Sequence, residues 1–279
     1  MSIHQLQILI VILYLIIVGS IYAVKLIKPL NELLHYGKTS TVNGLESSSI
    51  FNQMIDFISN NLVVPKSWFT HFYVTLFTLS SLTFFSTFQQ SEIDTSDPVK
   101  FKNLMLIHRL LWVQGLRRLT ECLIVTKFSE NSKMNISHYF VGLSHYILIS
   151  LATYLGLLRY GTHKVVRYTT FDDLLVVSFG VLSLLQFSAH YHLASLVKYT
   201  VPNFNNVASP HYLYEILIYT VFLIFSVKDS IDTTSWTFAA GWLFVTSNLT
   251  ISSIETFRYY QDKFKEDFKL KWAIMPGIL

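Results

Sequence analysis

Residues 186–215 read QFSAHYHLASLVKYTVPNFNNVASPHYLYE, and the fold follows from what this stretch joins. It links two apolar runs, 173–195 and 210–226, each long enough to cross a bilayer. Polar side chains gather along it: Gln186, His190, His192, Lys198, Tyr199, Asn203, Asn205, Asn206, His211, Tyr212 and Glu215. So many donors and acceptors beside membrane-embedded helices predict a platform for a polar ligand.

Composition agrees. Of the 279 residues, 52% are hydrophobic and only 14% charged, against about 25% charged in soluble domains, and the mean hydropathy is +0.43. These values predict an all-α, polytopic membrane protein. The net charge of +4 is spread over loops and the C-terminal tail, which excludes a nucleic-acid footprint. A single cysteine, Cys122, excludes an internal disulfide and a multi-cysteine metal site. His190 and His192 diverge at i, i+2 on a helix and have no accompanying carboxylate set, so no metal site is expected.

Outward from the platform, the apolar pattern predicts about seven spans: 6–27, 65–88, one from near 101, 138–158, 173–195, 210–226 and 236–254. The first is read as a retained anchor, followed by a polar connection in which 50–58 suits a helix lying on the membrane surface. The chain then divides into 1–64 and a six-helix domain, 65–279. Lys and Arg concentrate on the side that carries the C-terminal tail, which places that tail and the cofactor-binding loops in the cytosol. The sequons at Asn135 and Asn248 fall on the cytosolic side and within a helix, so neither is expected to be used.

The third span is unusual. Gln114, Arg117 or Arg118, and Glu121 recur at i, i+3/i+4, i+7 and share one helical face. An Arg117–Glu121 pair at i, i+4 would serve as an anchor, but an anchor does not need Gln114. No GxGxxG or Walker motif is present, so a nucleotide would have to be held by helix ends and loops.

Four blocks in order resemble the steroid 5α-reductase family, and most nearly its polyprenol reductase branch. They are Pro65-Lys-x-x-Phe-x-His-Phe-Tyr73, Val113-Gln-Gly-Leu-Arg-Arg-Leu-Thr-Glu-Cys122, the platform with Val201-Pro202 and Ser209-Pro-His-Tyr-Leu-Tyr-Glu215, and Tyr260…Lys263-Phe264…Met275-Pro276-Gly-Ile-Leu279. The sequence departs from the family pattern at Thr200, where Arg is usual, at Val197, where a basic residue is common, and at His211, where Asn is usual.

The resemblance implies a seven-helix reductase of the endoplasmic reticulum membrane. Such an enzyme uses NADPH to saturate the α-isoprene double bond of a long polyprenoid on the way to dolichol, the lipid carrier of protein glycosylation. An aldehyde suits this chemistry better than an alcohol, because only the enal offers hydride an electrophilic β-carbon. Family position assigns Gln186, His190, Tyr199, His211, Glu215 and Tyr260 to NADPH, with Arg117 and Arg118 beside them. For the substrate carbonyl the expected groups are His71, Gln114 and, as a second donor, Tyr73. The partners implied are a polyisoprenoid lipid and the bilayer, with no obligate protein partner. The alternatives are an enoyl-CoA reductase or another steroid-type reductase of the same superfamily, and a seven-helix receptor or transporter without chemistry.

Overall fold

The computed structural model describes residues 1–26, 61–89, 97–161, 166–196 and 200–279. The expected surface helix at 50–58, and Tyr199, lie outside these residues. Among the described residues are seven long helices: α1 (Ile3–Leu26), α2 (Phe69–Gln89), α3 (Pro98–Thr120), α4 (Ile136–Tyr160), α5 (Thr170–Ser195), α6 (Pro210–Val227) and α7 (Thr233–Phe264). Their starts are written in the sequence. Asp97 caps α3 ahead of Pro98, Thr169 and Asp172 form a capping box for α5, Pro210 opens α6, and Asp232 with Ser235 boxes the start of α7.

Four helices, α1, α4, α5 and α6, are long and apolar enough to cross a membrane. The fold is that of a largely helical, multi-pass membrane protein. Apolar side chains such as Ile16, Phe85, Val177 and Leu184 face outward, as lipid contact requires. The third helix is different because, Arg109 apart, its charged and amide side chains turn toward the protein. Lys100, Lys102 and Gln114 are buried, as is Glu121 just beyond the helix end, so α3 carries polar groups into an apolar bundle. Gly115 lets it approach α2 closely, since a Cβ there would stand 3.1 Å from the Phe77 backbone nitrogen.

The helices alternate in direction, so their ends gather at two poles. At one pole, ion pairs tie helix ends together. The Lys100 Nζ donates to the Ser226 and Ser230 carbonyls at 2.5 and 2.8 Å and to Ser235 Oγ at 2.8 Å. Asp172 takes Lys102 at 2.6 Å and Lys228 at 2.8 Å, and Asn103 donates to Asp229 at 2.7 Å. Arg159 donates to Gln7, which in turn donates to Thr234, each at 2.8 Å. Buried charges are tolerable only when paired in this way.

The opposite pole holds the ends of α3 and α5 and the starts of α2, α4 and α6. There Val63–Pro65 (β1) pairs antiparallel with Lys133–Asn135 (β2) and clips the start of α2 to that of α4. Asn135 is buried and caps α4 through its side chain. The helix α7 runs ten residues past its expected end at 254. Its tail folds back, with the Ala208 and Ser209 amides donating to the Trp272 and Ala273 carbonyls at 3.0 and 3.1 Å.

Candidate active site

The end of α3 builds this pole. The helix passes into a π-helical turn at Glu121–Val125, a local form frequent at functional sites. The turn brings Glu121 under two consecutive arginines, and its carboxylate accepts from both Arg117 and Arg118. Arg118 also donates to the Tyr73 hydroxyl on α2 at 2.7 Å, and its guanidinium lies 4.7 Å from the centre of that ring. The His190 Nδ1, from α5, sits 2.7 Å from Arg118 Nη1 and 2.8 Å from Glu121 Oε2.

A second set closes beside the first. Arg117 donates to the Gln114 and Gln186 carbonyl oxygens at 2.8 and 2.5 Å. Both glutamines turn their amide nitrogens toward Glu215 on α6, Gln114 at 3.2 Å from each oxygen. Gln186 also donates to the His211 carbonyl at 3.2 Å. Two arginines therefore face two carboxylates, and the charges cancel without solvent. The Nε atoms of both arginines are buried and have no hydrogen-bond partner among the described residues, which leaves donor capacity at the site.

The network lines a branched cavity. An inner chamber of about 160 Å³ has Tyr73, Arg118, Gln186, His190 and Glu215 on its wall and His145, Tyr146, Tyr219 and Phe244 deeper in. It shares Tyr73, Arg118, His190, His211 and Tyr212 with an outer chamber of about 310 Å³. That chamber in turn shares Lys66, Thr126, Lys127 and Phe128 with another of about 390 Å³ that adds Ser129, Ser132 and Asn248. The mouth is thus cationic and hydroxyl-rich and the interior aromatic. Burial pushes the Lys66 ammonium below its usual value, an effect a bound anion would oppose.

Residues 132–279 match the profile of the 3-oxo-5-alpha-steroid 4-dehydrogenase family. A polyprenal reductase of Saccharomyces cerevisiae is 32% identical over 255 residues, covering 90% of this chain and 87% of the relative. The chain belongs to this family. Further relatives are a polyprenal reductase of Drosophila melanogaster, 29% identical and covering 78% of this chain and 77% of the relative, and one of Homo sapiens, 25% identical with 88% and 84% covered.

Of the residues expected to serve this family member, Gln114, Arg117, Arg118, Gln186, His190, His211 and Glu215 come together with Tyr73. Gln114 and Arg117 stand behind the cavity wall, where they brace Gln186 and Glu215. Tyr260 lies elsewhere, in an aromatic cluster with Phe264 and Phe268 against Ala208. His71 is set apart as well. It is exposed, its Nδ1 is 3.2 Å from the Tyr139 hydroxyl, and its ring lies 5.4 Å from that of Trp68. His71 and Tyr73 are two residues apart, so on a helix they point to nearly opposite sides, and Tyr73 is the one that faces Arg118.

The sequence reading missed the cavity's inner wall. On α4, His138, Gly142, His145 and Tyr146 recur at helical spacing and line it together, a signal that was present in the pattern. His145 Nε2 is 2.8 Å from the Tyr219 hydroxyl, and its Nδ1 is 3.1 Å from the hydroxyl of Tyr14 on α1. Only the folded chain brings those three helices together.

Proposed function

We propose that this protein is a reductase that saturates the α-isoprene double bond of polyprenal in dolichol synthesis, using NADPH. The observation that carries the reading is the Tyr73–Arg118 pair, set where a cationic, hydroxyl-lined mouth meets an aromatic interior. Membership of the family and the polyprenal reductase names of its relatives give the reaction class.

NADPH fits the residues present. Lys66 and Lys127 supply positive charge at the mouth for phosphates, and the uncommitted Nε–H groups of Arg117 and Arg118 supply buried donors. Gln186, His190, His211 and Glu215 would flank the cofactor's reactive end, with Arg117 and Gln114 bracing them. When bound, NADPH supplies the hydride.

The protein's own part is to handle the charge. Hydride arriving at the β-carbon pushes an electron pair toward the aldehyde oxygen. In an aromatic-lined chamber that charge needs a fixed donor. The Tyr73 oxygen already accepts from Arg118, so its own proton is left to donate to the substrate. The Arg118 guanidinium, bonded to the Tyr73 oxygen, offsets the negative charge that develops there. Tyr73 thus takes the role for which His71 was the first candidate. The polyisoprenoid tail lies among the outward-facing apolar side chains. The enzyme sits in the endoplasmic reticulum membrane with its C-terminus and cofactor mouth in the cytosol, where NADPH is found.

The test is direct. Purified protein in lipid nanodiscs is given NADPH with polyprenal, polyprenol or a trans-2-enoyl-CoA. Oxidation of NADPH with polyprenal alone, yielding the saturated aldehyde, is the expected result. Turnover of the thioester but not the prenal would assign the chain to fatty-acid elongation instead.

A further inference from the structure

Saturating a conjugated double bond takes two additions, and the reading above accounts for only one. Hydride goes to the β-carbon, but a proton must still reach the α-carbon. The cavity's hydroxyls can be sorted by what they already do. Tyr73 is bound by Arg118. Tyr219 is bound by His145, which is held in turn by Tyr14. Tyr14 is 0% exposed, so that chain ends blind and cannot draw a proton from water. Tyr212 stands against His211, with ring centres 4.1 Å apart, and has interactions of its own. Tyr146 differs from all of them. Its ring lines the inner chamber, and its hydroxyl has no hydrogen-bond partner among the described residues.

That ring is held firmly. It stacks on Phe72 with centres 6.0 Å apart and meets Tyr73 and His145 edge-on at 5.6 and 5.0 Å. Three neighbours fix where the hydroxyl points, yet none of them satisfies it. Leaving a hydroxyl unpaired in a membrane interior is costly, so a firmly held, unpaired one suits a ligand. Its position next to Tyr73 suits the chemistry too. The carbonyl oxygen and the α-carbon are two bonds apart, so their donors must stand side by side.

We infer that Tyr146 is a catalytic residue, the acid that protonates the substrate's α-carbon. This rests on the polyprenal reading above. Once hydride has been added at the β-carbon, the former π pair is shared between the α-carbon and the oxygen held by Tyr73. That pair takes the Tyr146 proton, a C–H bond forms at the α-carbon, and the carbonyl re-forms. The phenolate left on Tyr146 is reprotonated by water reaching it through the outer chambers.

The experiment is reduction of polyprenal in deuterium oxide by the wild type and by Tyr146→Phe, which keeps the ring and its packing. The wild type is expected to place deuterium on one face of the α-carbon. The variant is expected to turn over on the order of 10²-fold more slowly. It should also deuterate both faces, because unguided water replaces the acid. Undiminished turnover, or slow turnover that keeps a single face, would overturn the assignment. If the variant makes too little product to examine but binds NADPH as the wild type does, the acid role stands. If it also loses NADPH binding, Tyr146 is structural. A wild type that does not reduce polyprenal defeats the underlying reading rather than the role of Tyr146, and that outcome is separately visible.

Discussion

Arg118 holds Tyr73 in two ways at once: its Nη2 donates to the hydroxyl at 2.7 Å while its guanidinium carbon lies 4.7 Å from the ring centre. The tyrosine cannot turn away without losing both contacts, so its remaining proton has a fixed direction.

Tyr73→Phe is therefore expected to lower kcat on the order of 10²-fold with little change in the apparent KM for NADPH. Steady-state kinetics in nanodiscs would check this. His71→Ala, by contrast, is expected to keep near-normal turnover, because His71 is exposed and bonded to Tyr139 away from the cavity. The reverse ranking of the two variants would move the donor to His71.

Glu121→Ala leaves two buried arginines without their shared counter-ion. Breaking a buried pair from one side costs about 3–5 kcal/mol, so the variant should unfold at a clearly lower temperature. Glu121→Gln keeps the shape and loses the charge, and it should fall between the two. Thermal unfolding in detergent reads the series, and equal Tm values for all three would show that the arginines find other partners.

The pole opposite the cavity has its own acid sensitivity. Hydrogen bonds from Asn103 and Lys228 hold the Asp229 carboxyl below the usual carboxylate range. Burial alone would raise the Asp232 carboxyl, but hydrogen bonds from Tyr160 and Ser235 and the charge of Lys100 hold it below that range too. A carboxylate with a lowered folded pKa stabilises the fold above its ordinary value and loses that contribution as pH falls through the folded one. Stability should therefore drop on the acid side of the carboxylate range and stay flat around neutrality. Asp232→Asn should lower Tm at neutral pH and flatten the acid limb. An unchanged acid limb in that variant would remove Asp232 from the account.

Seven alternating helices put the two chain ends at opposite poles. A glycosylation tag placed after Leu279 is expected to stay unmodified, and one placed before Met1 to be modified. Modification at the C-terminus would put the cofactor mouth in the wrong compartment.

The sequence revealed faces better than partners. Spacing alone put Gln114, an arginine and Glu121 on one side of α3, and the apolar runs located α5 and α6 to within a few residues. Spacing could not say what α3 would meet. Its contacts with Tyr73, His190 and Glu215 span 45, 72 and 101 residues of chain, and no local pattern encodes pairings at that range. His71 looked suitable because histidine is a versatile donor, and only the packing of α2 shows that its neighbour two positions on faces the site. Lys100 was hidden for the same reason, since a lysine near a helix start reads as solvated until three other backbone segments close over it.

Lys100, 1% exposed, places its charge against two carbonyls, a hydroxyl and the Asp232 carboxylate, the last at 3.2 Å, where α3, α6 and α7 converge. None of these partners can be withdrawn without stranding the charge. Lys100 therefore joins the ends of α3, α6 and α7 into one unit at the pole opposite the Tyr73–Arg118 pair.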